Sequence, residues 1–280
     1  MKKCGIIDIG SNSIRLGLYT YDDYGFEVID NYVTVKELAS YVDKGNISQK
    51  GIDIALKTLI SFKDIAKNRG VDDLYALVTA FGRKLDDPTS FIMQLNKEVP
   101  TILLSGDEEA TLAFKGCKSK VDLKEGVMID IGGGSFEMVQ FCNEQIKYKT
   151  SIELGCVNLS KINPQEPLLY VNDLLKKIDH RFSGSLVGAG GTIESLFIIY
   201  DKMGDPRVKL SKFEVLNIIN HYDNDAIHFI IGKYIDARKK TLWYGLQILY
   251  SIMEYYAIDD LYLSEYGVKE GYLIEHILNK

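Results

Sequence analysis

Residues 6–19 read IIDIGSNSIRLGLY, and residues 128–141 read MIDIGGGSFEMVQF. At one constant offset Ile7 matches Ile129, Asp8 matches Asp130, Ile9 matches Ile131, Gly10 matches Gly132 and Ser13 matches Ser135. A repeat this widely spaced is not a solenoid period. It predicts two similar α/β lobes, each opening with a strand, an Asp-x-Gly turn and a hairpin, and facing each other across a cleft. The expected division is 1–120 for the first lobe and 121–280 for the second. The second carries a helical extension, and its last helix has the option of packing back on the first lobe.

Outward from the first copy, Cys4 to Ile9 reads as a strand, and Ser13 to Tyr21 with Phe26 to Val33 as a hairpin. Ser48 suits a helix cap, because Ile52, Leu56, Leu59, Phe62 and Ala66 then recur every three or four residues up to Gly70. Leu74 to Ala80 and Thr101 to Leu104 read as strands, and Pro88 to Val99 and Asp107 to Lys118 as helices, so strand and helix alternate as in α/β folds. After the second copy, Gln145 to Glu153 is extended. A third glycine cluster, Gly188-Ala189-Gly190-Gly191, separates Ser185 to Val187 from a helix at Ile193 to Lys202, and the remainder is mostly helical with one strand at Asp260 to Leu263.

The composition is that of an ordinary globular chain: 280 residues, 46% hydrophobic, 26% charged and 5 prolines, which leaves no room for long disordered or fibrous segments. A net charge of -6 argues against a broad basic surface for DNA, RNA or an anionic membrane, so an anionic ligand has to be gripped locally. Cys4, Cys117, Cys142 and Cys156 show neither CxxC pairing nor a disulfide framework, and no apolar run reaches the length of a membrane span. A cytoplasmic protein without membrane or nucleic-acid partners is expected, and a homodimer stays open.

Each Asp-x-Gly turn has the chemistry of a phosphate cradle. Glycines let the backbone approach a ligand, successive N–H groups form an anion nest, and Ser or Asn side chains add donors. Gly10, Ser11, Asn12 and Ser13 make one cradle; Gly132, Gly133, Gly134 and Ser135 make the other; Gly190, Gly191 and Thr192 open a third turn. Asp8 and Asp130 end their strands beside the turns, where a carboxylate can hold Mg²⁺ or orient water. Two residues beyond each matched serine the copies differ, with Arg15 in one and Glu137 in the other. Neither GxxxxGK[ST] nor GxGxxG occurs, so this is neither a P-loop nor a Rossmann dinucleotide protein.

DIGSNSIRL (Asp8 to Leu16), LSGDEEA (Leu104 to Ala110), IDIGGGSFE (Ile129 to Glu137), ELG (Glu153 to Gly155), VGAGGTIESL (Val187 to Leu196) and YGVKEGYL (Tyr266 to Leu273) together resemble the exopolyphosphatase/guanosine pentaphosphate phosphatase (Ppx/GppA) family. That family belongs to the superfamily of actin, sugar kinases and heat-shock chaperone ATPases. The resemblance implies an α/β fold of two actin-like, ribonuclease-H-like lobes around a central cleft. It further implies a hydrolase that releases terminal phosphate from inorganic polyphosphate or guanosine pentaphosphate with Mg²⁺ or another divalent cation. It makes Glu109 the residue that activates water, Asp130 and Glu137 the holders of the cation, Ser11 to Ser13 with Arg15 and Gly132 to Ser135 the phosphate binders, and Arg83 a clamp on a neighbouring phosphate.

Hydrolysis of a phosphoanhydride needs charge stabilisation more than covalent help, which suits such a set. Without the resemblance, Asp107, Glu108 and Glu109 would read simply as acids that favour a helix start, and Arg238-Lys239-Lys240 reads as a solvated helix face. Two departures stand out. Residues Val35 to Val42 lack the glycines and arginine of the family's loop there, and Phe136 replaces a small polar residue before Glu137. Two rival readings are a phosphotransferase of the same fold, with an acceptor such as ADP, and a non-catalytic sensor of polyphosphate or the alarmone ppGpp. The retained Glu109, Asp130 and Glu137 speak against the sensor.

Overall fold

The structure is a computed structural model and describes residues 1–71 and 73–278. The chain divides into two compact units, Met1–Leu112 with Val268–Lys280, and Ala113–Gly267. Compared with the expected division at 120/121, the boundary falls earlier, and the terminal segment from Val268 counts with the first unit.

Among the described residues, the first unit is built on a five-stranded sheet. Strands β1 (Lys2–Ile9), β2 (Ser13–Asp22) and β3 (Gly25–Val35) form an antiparallel meander, followed by β4 (Val42–Asp43) and β5 (Asn46–Ile47), a separate small hairpin. Helix α1 (Gln49–Asn68) then crosses over to β6 (Leu74–Val78), which runs parallel to β1, and β7 (Thr101–Leu103) extends the sheet to the order β3-β2-β1-β6-β7.

The Ser48 side chain caps α1 by accepting from the Gly51 amide at 3.3 Å. Ile52, Ala55, Leu59, Phe62 and Ala66 form its buried face. They recur at three- and four-residue intervals and pack on Ile7, Ile9, Ile14 and Leu16 of the sheet. Between β6 and β7 lie a one-turn helix α2 (Ala80–Arg83) and α3 (Pro88–Leu95); Asp87 caps α3 and Pro88 pre-sets its first turn. Leu74 to Ala80 was expected to be wholly strand, yet the strand stops at Val78. The chain turns at once into α2, where Gly82 packs so closely on Val78 and Leu103 that a Cβ would not fit.

Helix α4 (Gly106–Lys118) leads into the second unit, whose first strands repeat the pattern. Strands β8 (Glu125–Ile131), β9 (Phe136–Cys142) and β10 (Gln145–Ile152) form an antiparallel meander. Two short helices, α5 (Cys156–Ile162) and α6 (Pro167–Leu175), precede β11 (Leu186–Ala189), which is parallel to β8. Helices α7 (Gly190–Lys202), α8 (Lys212–Asn220), α9 (Asp225–Tyr234) and α10 (Leu242–Tyr255) follow, with the edge strand β12 (Lys209–Ser211) between α7 and α8. The strand β13 (Asp260–Leu263) completes the order β10-β9-β8-β11-β13-β12. Apart from β12, this is the order and sense of the first sheet. The core joins Ile129, Ile131, Phe136 and Met138 of the sheet to Ile193 and Leu196 of α7 and to Leu246, Leu249 and Met253 of α10. Helix α11 (Val268–Leu273), continued by a π-helical turn at Ile274–Leu278, belongs to the first unit. No described helix is long and apolar enough to cross a membrane.

Candidate functional site

In the first unit the turn after β1 is closed by the Gly10 amide, which donates to the Ser13 carbonyl at 3.1 Å. The turn's own carbonyls are already engaged. Ser11 accepts from the Ala39 amide at 3.0 Å, and Asn12 accepts from Lys36 and Glu37 at 3.0 and 2.8 Å. The stretch that departs from the family pattern therefore holds the turn by main-chain amides, with Glu37 in the left-handed region at φ 46 to aim them. A nest fixed from its carbonyl side presents its amides and hydroxyls to an anion without further ordering.

Asp8 and Arg15 are cross-strand partners on β1 and β2. Asp8 Oδ1 is fully covered and makes no hydrogen bond among the described residues. Burial pushes the Asp8 carboxyl above its ordinary range; Arg15 and then Lys269 oppose that shift, and Glu270 reinforces it.

Arg83, the last residue of α2, donates from Nη1 to Glu109 Oε2 at 2.6 Å and to the Leu104 carbonyl at 3.2 Å. Both side chains are largely covered, at 14% and 10% exposure. The three acids at the start of α4 have separate roles. Glu108 forms a reciprocal cap with Ser105, its Oε2 accepting from the Ser105 amide at 2.8 Å and hydroxyl at 2.7 Å while its own amide donates to Ser105 Oγ at 3.2 Å. Glu109 instead points inward to Arg83, and Asp107 is exposed.

The turn of the second unit closes in the same way, the Gly132 amide donating to the Ser135 carbonyl at 3.0 Å. Its carbonyls are held by the start of α5. Cys156 donates to Gly132 at 3.0 Å, Val157 donates to Gly133 at 2.9 Å, and the Asn158 side chain donates to Gly134 at 2.7 Å. This explains the glycine of the Glu153-Leu154-Gly155 motif, because a Cβ on Gly155 would fall on the backbone of Gly133.

Glu137, directly across the ladder from Asp130, is buried, and its Oε1 accepts from Ser135 Oγ and Ser151 Oγ, both at 2.7 Å. The third turn joins this group. Gly190 sits at φ +80 where a Cβ would strike Asp130 Oδ1, and Thr192 Oγ1 donates to the Ile131 carbonyl at 3.3 Å. In the second unit the structure thus brings together Asp130, Glu137, Gly132 to Ser135 and Gly190 to Thr192. In the first it brings together Asp8, Arg15 and the turn Gly10 to Ser13, and separately pairs Arg83 with Glu109.

Two residues here escaped the sequence reading. Ser151 orients Glu137 from the neighbouring strand. Arg238, assigned above to a solvated helix face, lays its guanidinium against Gly191 so closely that a Cβ there would overlap it. Its charge also opposes the upward push of burial on the Cys156 thiol at the start of α5. No local pattern around Arg238 marks it, since its meaning depends on a glycine turn distant in sequence.

No group of three or more His, Cys, Asp or Glu side chains that could hold a metal ion occurs among the described residues. The donors present, Asp130 and Glu137 side by side on paired strands, are hard oxygens. Such a pair suits an ion that completes its shell with water and phosphate oxygens, as Mg²⁺ does, and not a closed protein cage.

The sequence model of the Ppx/GppA phosphatase family matches residues 27–280. The chain belongs to that family. The first turn precedes the matched span, and the second lies within it. Over 98% of its length the chain is 26% identical to the bifunctional 3-dehydroquinate synthase/phosphatase of Fusobacterium nucleatum subsp. nucleatum, of which it spans 46%. Two solved structures share the fold. An exopolyphosphatase from Cytophaga hutchinsonii superposes with a TM-score of 0.85 at 20% identity, covering 98% of this chain and 97% of that one. A Ppx/GppA family member from Aquifex aeolicus gives 0.80 at 22% identity, covering 99% and 98%. The fold is α/β, with the five-strand order of the first sheet repeated in the second.

Proposed function

We propose that the protein is a phosphoanhydride hydrolase that releases terminal phosphate from inorganic polyphosphate, with guanosine pentaphosphate as the second substrate. The observation that carries this reading is the pair of glycine turns, each closed by the same bond, each held from its carbonyl side, and each beside a strand-end aspartate. Such turns bind phosphate oxygens, and family membership selects hydrolysis among the reactions they serve.

In the first unit, Ser11, Asn12, Ser13 and Arg15 bind phosphate, and Glu109, held by Arg83, orients the attacking water and takes its proton. Arg83 also adds positive charge for a phosphate oxygen. In the second unit, Gly132 to Ser135 and Gly190 to Thr192 bind phosphate, joined by Arg238. Asp130 and Glu137 would hold Mg²⁺ or another divalent cation, which when bound supplies charge neutralisation to the phosphate oxygens. Ser135 and Ser151 fix the Glu137 carboxylate through their hydroxyls.

Phosphate release from polyphosphates of defined length and from guanosine pentaphosphate tests this. Glu109→Ala should lower kcat about 10²- to 10⁴-fold while the protein stays folded. Release from none of these substrates by the wild type, or an unimpaired Glu109→Ala, would overturn it.

A further inference from the structure

The first unit contains a buried polar chain that the roles above do not use. Tyr19 on β2 is completely covered, and its ring lies over Gly17, where a Cβ would collide with it. From there its hydroxyl donates to Glu270 Oε1 at 2.5 Å, across 251 residues of sequence. Glu270, at 3% exposure, also accepts from the Lys269 ammonium at 3.0 Å. Both residues lie in α11, which is seated on the α4 backbone so closely that a Cβ at Gly271 would strike the Leu112 carbonyl. The motif YGVKEGYL therefore brings one lysine and one buried glutamate to the sheet that carries Asp8.

We propose that Glu270 is a positioning residue that, together with Tyr19, fixes the Lys269 ammonium beside Asp8 as a permanent cation of the first unit's phosphate turn. This deepens the hydrolase reading and rests on it.

Three observations support the assignment. Arg15 and Lys269 act on Asp8 as cations and Glu270 acts on it as an acid, and Lys269 pairs with Glu270 at 3.0 Å, so the ammonium is shared between the two acids of this cluster. Asp8 Oδ1 is covered and has no donor among the described residues, so cations and not hydrogen bonds compensate it there. A buried carboxylate is a costly tether for a short helix, since an apolar side chain of similar size would anchor it at least as well. Its charge is explained if its task is to hold an ammonium. A lysine so held cannot swing out to solvent and meets phosphate oxygens already ordered. On this account Asp8, ringed by Arg15 and Lys269, serves the phosphate turn and is not a ligand of the divalent ion.

The test uses the full chain as wild type, Glu270→Gln, Lys269→Met and Lys269→Arg, with inorganic phosphate as probe, its binding followed by ³¹P line broadening. Polyphosphate kinetics and unfolding temperature are measured alongside. Lys269→Met and Glu270→Gln should weaken phosphate binding and raise KM about tenfold at low salt, with kcat within about threefold and the difference shrinking as salt is added. Lys269→Arg should bind phosphate within about threefold of wild type. Variants that melt earlier but bind phosphate and show KM like wild type would overturn the proposal, leaving a structural tether; so would a wild type that binds no phosphate. If Glu270→Gln does not fold, Lys269→Met decides. A wild type that hydrolyses none of the substrates overturns the hydrolase reading alone, because phosphate binding still separates Lys269→Met from wild type.

Discussion

The turn at Gly10 to Ser13 and the turn at Gly132 to Ser135 are nearly the same object in backbone terms and opposite objects in charge. Their closing bonds are 3.1 and 3.0 Å, and each is held through its carbonyls by a following segment, residues 36–39 in one case and 156–158 in the other. Across the ladder from the strand-end aspartate, however, stands Arg15 in the first and Glu137 in the second. The first turn has Lys269 near its aspartate, and the second has two carboxylates side by side with Arg238 arriving against Gly191. The difference teaches that the repeat preserves the backbone of the turn, while the single cross-strand position sets its charge; on the proposed reading this makes the first turn a cationic cradle and the second a holder of metal.

The comparison breaks most sharply at that position. Arg15→Glu gives the first turn the carboxylate pair of the second and should lower kcat/KM for polyphosphate about 10³-fold in steady-state assays. A loss under threefold would show that the two turns are interchangeable.

The supports beneath the turns are distinguished next. Gly155→Ala places a methyl group on the Gly133 backbone and should destabilise the fold by about 3 kcal/mol, a drop of about 6–10 °C in unfolding temperature. The first turn is held by residues that carry side chains, so Ala39→Ser should change the unfolding temperature by less than about 2 °C.

The smallest effect concerns the aspartate itself. Burial raises the Asp8 carboxyl in the folded chain above its unfolded value, so the stability tied to a neutral Asp8 is present at low pH and is lost as pH rises through the raised value. Asp8→Asn removes that loss. Its unfolding temperature should match wild type near pH 4 and exceed it increasingly toward pH 7, by roughly 2–4 °C for each 1 kcal/mol recovered. A constant gap across this range would mean that Asp8 does not titrate between the two states.

What the sequence revealed and what it hid follow from one physical distinction. Local rules are written in consecutive residues, so the repeat, the Ser48 cap and the buried face of α1 could all be read directly. The 35–42 stretch stood out only as a departure because it lacks glycine and arginine, yet it holds the first turn through main-chain amides that any side chain would carry. The three-residue edge strand β12 was too short to show a period of two. Arg238 stood directly before two lysines and resembled them, and only packing on Gly191 separates it. Glu108 and Glu109 are neighbours of the same type, and the helix turn alone sends one to a cap and the other to Arg83.

The division of labour between the turns is tested most directly by titrating Mn²⁺ into wild type, Arg15→Gln and Glu137→Gln and following the free ion by electron paramagnetic resonance. The account predicts that Glu137→Gln weakens Mn²⁺ binding by at least about tenfold while Arg15→Gln binds as wild type does. Equal Mn²⁺ affinity in all three, or a loss confined to Arg15→Gln, would contradict it.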